Sequence, residues 1–509
     1  MEPHPRKIVP LATDGSGPGP RLLFGTIADL HRAAVILLLL AASATWVGTA
    51  VSQPLTTAVY LDPEARDADA ALAFARTRAA GANVVRLIVY WREVAPSVKP
   101  PGFDATNPDD PAYKWNDFDR QVTAAVRSGL QPLVTVLGAP NWAQATPAAA
   151  PPSSNKPSPA DFGDFAKAAA SRYSGKFHDL PRVRYWQAWN EPNLSTYLRP
   201  QLVNGRPFAP AWYREMLAAF AARVRGVATG NVVVAAGLAP FRDVTPEVRQ
   251  VDPDWGPLSF MRSMLCLSKS LVATCSDRTD ADVWAIHPYT SGGPTHRAQL
   301  PNDVSLGDLA KFRRILVAAR AAGHLVSKKS VKLWVTEFSW DSNPPDPQGV
   351  PSFLLARWVP EALYRMWLNG VSLVTWFTLR DQPLATSFYQ AGLYYRGSTI
   401  ASDRPKPYLR GFRFPFVAFP DGARVRVWGR TPAGRPGRIQ IQQRTGRQWT
   451  TIARVRAGRN GIFSLKVTPV GAGDLRGVTG GQEASSAFSL RPVRDRSFNP
   501  FGQTALGKP

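Results

Sequence analysis

The chain has 509 residues, of which 44% are hydrophobic and 10% aromatic, and it carries a formal net charge of +24. This composition excludes an intrinsically disordered chain, and the length allows two or three domains, or one large barrel with an appendage. The positive charge suits an anionic partner. The alternative is a compositional habit of the genome, because Arg outnumbers Lys by 47 to 14. Nucleic acid is a poor candidate, because no nucleic-acid reading motif accompanies the charge.

The first 50 residues have the pattern of a targeting segment. The uncharged run AAVILLLLAASATWVGTA follows several basic residues, and Gly48 and Ala50 are the small residues that a signal peptidase needs before Val51. The same uncharged run is long enough for an uncleaved membrane anchor. The sequence therefore predicts export, either to the extracellular space or, with the anchor retained, to the cell surface.

Between residues 54 and 381, short apolar runs alternate with Ala-rich amphipathic segments. Helical patterns cover 115–129, 160–174, 211–228, 306–323 and 353–369. The strand candidates are 54–61, 83–91, 131–140, 183–192, 231–240, 281–289, 332–340 and 370–381. Eight strand–helix units with strands apolar along their length predict the α/β class and a (β/α)8 TIM barrel over residues 51–415. A doubly wound sheet has the same alternation, but no Gly-rich phosphate loop follows the first strands.

Beyond the segment RPKPYLRGFRFPF the alternation changes to a period of two. Val425 and Val427 alternate with arginines, which predicts a small antiparallel β-sandwich-like domain over 416–470. Residues 471–509 are rich in Gly, Ser and Arg and predict a flexible tail. From Arg404 onward there are 20 Lys+Arg against 4 Asp+Glu. The β-domain is therefore a candidate for binding an anionic cell-envelope surface; a stabilising appendage that packs on the barrel is the alternative.

Cys266 and Cys275 are the only cysteines of the chain. An exported chain with two nearby cysteines most simply pairs them, and closing such a short loop contributes roughly 2–3 kcal/mol. Two free buried thiols are the alternative. Neither cysteine lies in a metal-ligand spacing.

The fourth and seventh strand candidates each end in a glutamate. Glu191 lies in RYWQAWNEPNLS and Glu337 in KLWVTEFSW. Because residues two apart in a strand share a face, the alternation places Glu191 with Trp189 and Gln187. By the same rule it places Glu337 with Val335 and Leu333. Barrel enzymes build their active sites at the carboxyl ends of the strands, and two carboxylates facing each other there are what glycoside hydrolysis needs. The alternative is a salt bridge between each glutamate and an arginine at the rim.

Four motifs together resemble a known group of enzymes. WNEPN, AIHPY, VTEFSW and VTWFTLRD resemble the clan A glycoside hydrolases, the retaining (β/α)8 enzymes that include families 5 and 39, over residues 54 to about 400. The resemblance implies that Glu191 is the acid/base, that Glu337 is the nucleophile and that Asn190 binds the sugar 2-hydroxyl. It implies a retaining β-glycoside hydrolase acting on a poly- or oligosaccharide by double displacement, without a metal or organic cofactor. Transfer to a sugar hydroxyl would use the same residues.

Five further residues are candidates for substrate binding. Tyr289 and His287 share a face at the end of the sixth strand, and the resemblance implies that an aromatic hydroxyl there holds the nucleophile; a turn that merely ends the strand is the alternative. Arg86 lies inside an apolar strand and needs a partner, either the nucleophile, as the resemblance implies, or a purely structural ion pair. Trp376 is predicted to form the platform under the sugar. Trp142 is a loop-edge aromatic that either packs or forms a subsite.

A second function class remains open at this point. A glycosidase-like barrel without activity could serve as an envelope- or carbohydrate-binding protein attached through the basic β-domain. The presence of both glutamates together with Asn190, Tyr289 and Trp376 favours the enzyme. A barrel that has lost its activity has no physical need of these five residues.

Overall fold

The computed structural model describes residues 53–493, apart from 63, 67, 148–151, 328–329 and 388. The predicted targeting segment at 1–50 lies outside the described residues, as does the end of the predicted tail. The described residues belong to one compact unit. No helix among the described residues combines the length and the apolar character needed to cross a lipid bilayer.

Eight parallel strands close into a barrel, which confirms the predicted fold. Each strand pairs with its neighbours in sequence, and the first pairs with the last. The strands are β1 (Thr56–Tyr60), β2 (Val84–Tyr90), β3 (Gln131–Leu137), β4 (Tyr185–Ala188), β5 (Val232–Leu238), β6 (Val283–Ile286), β7 (Lys332–Phe338) and β8 (Val371–Trp376).

Helices cover the outside of the barrel. They are α1 (Ala70–Ala79), α2 (Trp91–Val94), α3 (Asn116–Arg127), α4 (Pro159–Arg172), α5 (Ala209–Val227), α6 (Pro246–Val251), α7 (Pro257–Met264), α8 (Leu309–Ala321), α9 (Ser352–Leu368) and α10 (Leu409–Arg413). Helix α3 shows why these segments are helical, since its buried residues Phe118, Val122 and Ala125 recur every three or four positions. In α4 the side chain of Ser158 caps the first turn.

The strands are buried on both faces, which explains their continuous apolar runs. Inside the barrel, one cluster of residues fills the lower part of the bore: Ala58, Val84, Leu133, Val234, Val283, Ala285, Trp334 and Leu373. The residues between them along each strand face the helices and belong to the main hydrophobic core. The parity of each strand therefore decides which side chains reach the barrel mouth.

The loops contain short elements of their own. Single 3-10 turns lie at Glu64–Arg66, Asn141–Ala143, Leu306–Asp308 and Pro432–Gly434. Two-residue strands pair Leu202–Val203 with Arg206–Pro207, Thr279–Asp280 with Leu325–Val326, Ser342–Asn343 with Val350–Pro351, and Tyr394–Tyr395 with Arg404–Pro405. The structure joins Cys266 and Cys275 in a disulfide, in the loop that follows α7.

The predicted C-terminal β-domain is present and consists of two three-stranded antiparallel sheets. The strands are β9 (Phe416–Asp421), β10 (Arg424–Arg430), β11 (Gly437–Thr445), β12 (Gln448–Ala457), β13 (Ile462–Val467) and β14 (Leu475–Thr479). The first sheet has the order β9-β10-β13 and the second has the order β12-β11-β14. Val425 pairs with Val467, and Val427 pairs with Leu465, as the alternation of apolar residues requires.

The first sheet packs on the barrel through an aromatic cluster. The ring of Trp428 lies 5.4 Å from the ring of Tyr364 and 5.5 Å from that of Trp367, both on α9. Phe419 contacts Tyr364 from the neighbouring strand. Trp428 is fully buried. The β-domain is thus an integral part of the compact unit.

The flexible tail predicted to begin at residue 471 is wrong for its first part. Strand β14 pairs with β11 across five positions, and the chain continues until Phe488 pairs with Leu475. Leu475 and Phe488 are buried. These isolated apolar residues among glycines and serines give a weak sequence signal, yet their burial fixes the segment in place.

Candidate active site

Polar residues replace the apolar filling of the bore just below the barrel mouth. On strand after strand, the next inward position above the apolar cluster carries a fully buried polar side chain: Arg86, Thr135, Gln187, His287 and Thr336. A buried polar group must be hydrogen-bonded to be tolerated. We call this layer the polar floor, and it supports the functional side chains at the barrel mouth.

Glu337 reaches the mouth because strand β7 is irregular at its end. The register against β8 shifts between Val335 and Phe338, so three residues of β7 oppose two of β8. Val335 packs among the helices while Trp334 fills the bore, so regular alternation would turn Glu337 outward. A bulge re-aims a side chain in this way. The predicted shared face of Glu337 and Val335 is wrong, although the predicted location at the mouth is correct.

Glu191 also reaches the mouth by leaving the strand geometry. Strand β4 ends at Ala188, and both Trp189 and Glu191 have positive φ angles, 68° and 42°. Trp189 turns outward and packs edge-on against Phe162 of α4. The predicted shared face of Glu191 and Trp189 is therefore wrong as well. Positive φ is uncommon for non-glycine residues and is seen where a fold holds a side chain in a required position.

Arg86 connects three parts of the site. Its guanidinium donates to Glu337 Oε1 at 2.6 Å, to Asn190 Oδ1 at 2.7 Å and to Thr135 Oγ1 at 3.1 Å. The Arg86 side chain is fully buried, so its charge is compensated by Glu337 and hydrogen-bonded by the two neutral partners. With its oxygen bound by Arg86, Asn190 can offer its Nδ2 group to a substrate hydroxyl.

His287 and Tyr289 hold the two carboxylates from the side of β6. His287 Nδ1 lies 2.8 Å from Glu191 Oε1, and its Nε2 lies 3.0 Å from the hydroxyl of Thr336. The Tyr289 hydroxyl donates to Glu337 Oε2 at 3.1 Å. The structure thus brings both residues to the carboxylates, and His287 contacts Glu191 while Tyr289 binds Glu337.

The two glutamates face each other at short range. One oxygen of Glu191, one oxygen of Glu337 and a ring nitrogen of His287 lie within 4.8 Å of one another. The side chains of Glu191 and Glu337 retain 12% and 13% of their exposed area. Both carboxylates are therefore shielded on most sides and open to a ligand on one.

The surroundings drive the two pKa values in opposite directions. Burial raises the pKa of Glu191, and the charge of Glu337 adds to this, against the opposing influence of His287 and Arg86. Burial also acts to raise the pKa of Glu337, but His287, Arg86 and the Tyr289 hydrogen bond outweigh it and hold that pKa below its ordinary value. One carboxyl group is thus suited to carry a proton while the other is ionised.

Gly237, at the end of β5, leaves room for this arrangement. Its φ angle is +70°, and a Cβ placed there would lie 2.6 Å from Gln187 Nε2, 3.1 Å from His287 Nε2 and 3.3 Å from Thr336 Oγ1. The backbone carbonyl of Gly237 also accepts the amide hydrogen of Glu191 at 3.0 Å. Only glycine fits this close approach of backbone to side chains.

The prediction that Trp376 forms the sugar platform is wrong. Its ring is 1% exposed and packs against Phe338, Tyr408 and Phe412, with the indole N–H bound to the carbonyl of Ala391. The reason is strand parity, because Leu373 faces the bore and the inward positions of β8 are therefore the odd-numbered ones. A fully covered ring cannot stack on a sugar.

Trp142 serves in loop packing. Its indole N–H donates to the carbonyl of Pro96 at 2.8 Å, and its ring lies edge-on to Trp91 and Phe103 at 5.9 and 6.0 Å. These contacts join the loop after β3 to the loop after β2. Of the two readings of Trp142, packing is the one that its contacts support.

Several aromatic residues at the mouth were not among the sequence candidates. Half-buried Phe377 follows Trp376; its ring stacks on Tyr60 at 4.9 Å and meets Tyr389 at 5.2 Å. Burial and the charges of Glu191 and Glu337 raise the pKa of Tyr389 to about 12, and the same causes raise that of Tyr197. Strand parity could have found Phe377, whereas Tyr197 and Tyr389 lie on loops, where no periodicity identifies them.

The trio of Glu191, His287 and Glu337 also has the donor atoms of a metal site. However, the guanidinium of Arg86 already neutralises Glu337 at 2.6 Å and would repel a divalent ion bound to the same carboxylate. Cys266, Cys275 and Asp277 form the other such group among the described residues, and its two thiols are joined in the disulfide. The chemistry of the site favours a carboxylate pair.

No protein-family model matches the sequence, and no curated protein matches it. Similar solved structures exist. A family 39 glycoside hydrolase from the gut symbiont Bacteroides cellulosilyticus WH2 has 16% identity and a TM-score of 0.49, covering 82% of this chain and 80% of that chain. A GH5_18 protein from Streptomyces cattleya, in complex with GlcNAc, has 15% identity and a TM-score of 0.44, covering 71% and 79%.

A third similar structure is a glycoside hydrolase family 30 subfamily 8 xylanase from Clostridium acetobutylicum. It has 12% identity and a TM-score of 0.42, covering 81% of this chain and 92% of that chain. The three proteins are glycoside hydrolases of families 39, 5 and 30, and families 39 and 5 are the two that the sequence motifs resemble. Similarity at identities and TM-scores this low does not establish an activity.

Proposed function

We propose that this protein is an exported retaining glycoside hydrolase, with Glu337 as nucleophile and Glu191 as acid/base. The observation that supports this best is the pair of carboxylate oxygens within 4.8 Å of each other at the barrel mouth. Retaining glycosidases have carboxyl groups about 5–5.5 Å apart, whereas inverting enzymes leave about 6.5–9.5 Å for a water molecule. The short separation favours direct attack on the substrate.

In the first step, the ionised Glu337 attacks the anomeric carbon, and the bond from that carbon to the departing oxygen breaks. Glu191 gives its proton to this oxygen, so the leaving group departs as an alcohol. The charge of Arg86 and the Tyr289 hydroxyl keep Glu337 ionised at the start. Burial raises the pKa of Glu191, which favours its protonated form.

In the second step, Glu191 takes a proton from water, and the water oxygen attacks the anomeric carbon. The ester bond to Glu337 breaks, and the sugar leaves with its original configuration. His287, at 2.8 Å from Glu191, keeps that carboxyl group oriented through both steps. A sugar hydroxyl in place of water would give transglycosylation by the same route.

The substrate class is a poly- or oligosaccharide with a β-linkage. Phe377 takes the role of the aromatic platform that the sequence assigns to Trp376, because its half-buried ring lies beside Tyr60 and Tyr389 at the mouth. Asn190 Nδ2 is the donor for a sugar hydroxyl next to the reacting carbon. Tyr197 and Tyr389 add hydroxyl groups from the loops.

The division of roles can be tested with Glu191→Gln. An aryl β-glycoside with a very good leaving group needs no proton in the first step, so the variant should still form the glycosyl-enzyme rapidly and release a burst of phenol. With poor leaving groups, its kcat/KM should fall by about 10²- to 10⁴-fold, the usual contribution of general acid catalysis. Glu337→Gln should abolish turnover of both kinds of substrate.

Glu215→Gln is a matched control, because Glu215 is exposed on α5, and it should retain wild-type kinetics. Product configuration, followed by NMR from the first turnover, provides the second readout. An inverted product, or equal loss of Glu191→Gln activity on good and poor leaving groups, would contradict the proposal. Absence of hydrolysis on a broad glycoside panel would support a non-catalytic carbohydrate-binding protein.

We propose that the protein acts outside the cytoplasm. The support is the predicted targeting segment at 1–50, together with the disulfide between Cys266 and Cys275, which suits an oxidising compartment. Fractionation of cells that produce the full chain, with and without residues 1–50, tests this. Retention of the full chain in the cytoplasm would contradict it.

A further inference from the structure

The outer face of the second sheet of the β-domain carries an ordered set of polar side chains. Strand pairing places Gln442 opposite both Thr451 and Arg476, and Gln440 opposite Arg454. Trp449 lies on the same face, opposite Arg444. We call this surface the outer β-face, defined by Gln440, Gln442, Trp449, Thr451, Arg454 and Arg476.

Hydrogen bonds connect these side chains across all three strands. Arg476 Nε donates to Gln442 Oε1 at 2.9 Å, and Gln442 Nε2 donates to Gln440 Oε1 at 3.2 Å. The hydroxyl of Thr451 donates to the same Gln440 oxygen at 3.0 Å. Side chains tied together in this way lose less conformational entropy when they bind a ligand.

Arg476 is held in place on a second side. Its guanidinium carbon lies 4.1 Å from the centre of the Trp449 ring, a close cation–π contact. Because Nε is bound to Gln442 and the group rests on Trp449, the terminal nitrogens are fixed in position with their hydrogens available to an anion. An arginine held like this is a planar receptor for a carboxylate.

Further positive charge lies along the same sheet. Arg438 and Arg456 pair across β11 and β12 next to Arg454, and all three are exposed. None of the three has an ion-pair partner within the described part of the chain, whereas neighbouring Arg444 is bound to Asp474 at 2.8 Å. The outer β-face therefore joins one fixed arginine to a row of unneutralised ones.

The outer β-face is the more exposed side of the second sheet. On the opposite side, Ile439, Ile441 and Leu475 are buried in the main hydrophobic core, and the first sheet packs on α9. A ligand can therefore reach the outer β-face from the solvent.

We propose that the outer β-face binds an anionic polysaccharide that carries carboxylate groups. Arg476 and the row of arginines bind the carboxylates, while Gln440 Nε2 and the Thr451 hydroxyl bind the neutral sugar hydroxyls. A chain of sugars that alternate hydroxyls with negative charge matches this mixture of amides and guanidinium groups. The inference does not depend on the activity of the barrel.

An anionic lipid surface fits less well. Binding to a membrane surface requires positive charge together with large apolar side chains that enter the lipid, and the exposed large apolar residues of the described β-domain are Val470 and Val493, neither of which is on the outer β-face. The hydrogen-bonded glutamines would also have no use there. Lipid binding is therefore the competing outcome for the experiment.

The test is affinity electrophoresis of the full chain in native gels that contain polygalacturonate, alginate or neutral dextran. We expect retardation by the two polyuronates and none by dextran. Arg476→Gln and Trp449→Ala should each weaken the affinity by about tenfold, because each removes the preorganised receptor. Gln442→Ala should have a similar effect without any change of charge.

Arg459→Gln is the matched control. Arg459 is exposed in the turn between β12 and β13, so the variant loses one positive charge outside the outer β-face and should change the affinity by less than about twofold. Melting midpoints close to wild type establish that all variants fold. If one variant fails to fold, the other two still decide the question.

Three results would overturn the proposal. The first is the absence of retardation by both polyuronates. The second is equal weakening by Arg459→Gln and Gln442→Ala, which would mean that only overall charge matters. The third is binding to phosphatidylglycerol vesicles that is as tight as binding to the polyuronates and is unchanged by Gln442→Ala, which would assign the surface to lipid.

Discussion

Arg86 determines more of the candidate site than any other single side chain. It is fully buried, and its three hydrogen bonds fix Glu337, Asn190 and Thr135 relative to one another. Removing one partner of a buried ion pair typically costs about 3–5 kcal/mol, because an uncompensated charge remains. Variants of Arg86 therefore mix loss of folding with loss of function, and a residue at the edge of the network is a better probe.

Tyr289→Phe is such a probe, because it deletes one hydrogen bond to Glu337 and leaves the ring in place. The hydroxyl stabilises the ionised form of Glu337, so its loss raises the pKa of that carboxyl group. Activity requires Glu337 to be ionised, and the acid limb of the kcat/KM profile should move upward by as much as about one pH unit. The alkaline limb, which reflects ionisation of Glu191, should move less.

Tyr113→Phe serves as the control for this prediction. Tyr113 also donates a hydroxyl hydrogen bond, to the carbonyl of Ala105 at 2.7 Å, in a loop away from the carboxylates. Its pH profile should match that of the wild type. An unchanged acid limb in Tyr289→Phe, with activity lowered equally at every pH, would mean that Tyr289 does not act on the ionisation of Glu337.

At this scale the sequence identifies most of the site but misassigns its aromatic residues. Glu191, Glu337, Asn190, Arg86, His287 and Tyr289 meet at the mouth, because each lies at or near the carboxyl end of a strand or in an inward position of one. Trp376 does not, since it occupies the outward parity of β8 while its neighbour Phe377 faces the site. Both adjacent residues are aromatic, so residue type alone does not choose between them, whereas the parity of β8 does.

At the scale of elements, the ends of β4 and β7 break the regular alternation. The positive φ angles at Trp189 and Glu191, and the register shift after Val335, turn both glutamates inward. The starts of the predicted strands lie within two residues of the observed starts, whereas the predicted ends run one to five residues too far. The sequence contains no signal for the irregularities, because a bulge depends on the neighbouring strand. The sequence locates both glutamates correctly because it places them at the ends of strands four and seven. The alternation argument, by contrast, assigns them to the wrong face.

Gly237→Ala tests whether the site tolerates a side chain at the end of β5. A methyl group at this positive φ would lie 2.6 Å from Gln187 Nε2 and 3.1 Å from His287 Nε2. We expect a loss of about 1–3 kcal/mol in the free energy of unfolding from strain and overpacking. Displacement of His287 should also lower kcat by at least about tenfold.

Gly226→Ala provides the comparison within the same chain. Gly226 lies in α5, where an added Cβ has nothing within 4 Å, so alanine should leave activity unchanged and increase stability by up to about 1 kcal/mol. Denaturant titration and steady-state kinetics of both variants check the two expectations. Full activity in Gly237→Ala would show that the polar floor can adapt to a larger residue.

For the whole molecule, the main feature is the aromatic joint between α9 and the first sheet of the β-domain. Tyr364 and Trp367 on the helix contact Trp428 from the strand. Arg413 of α10 adds a bidentate ion pair with Glu483. An interface of this kind predicts that barrel and β-domain unfold together.

Trp428→Ala should disrupt this joint. Deleting a fully buried tryptophan typically costs about 3–5 kcal/mol, and the thermal transition should drop and separate into two steps. Calorimetry of the full chain gives the measurement. Trp449→Ala, the same substitution on the half-exposed outer β-face, should leave a single transition near the wild-type temperature. Two separate transitions already in the wild type would contradict a shared cooperative unit.

The connection between the barrel and the β-domain is short, since α10 ends at Arg413 and β9 begins at Phe416. A linker of two residues is too short to allow the β-domain to move relative to the barrel. If the β-domain binds a polysaccharide while the barrel hydrolyses it, each hydrolysed bond must lie at one fixed distance from the bound segment. The fragment lengths released from a captured chain would then record the dimensions of the protein itself.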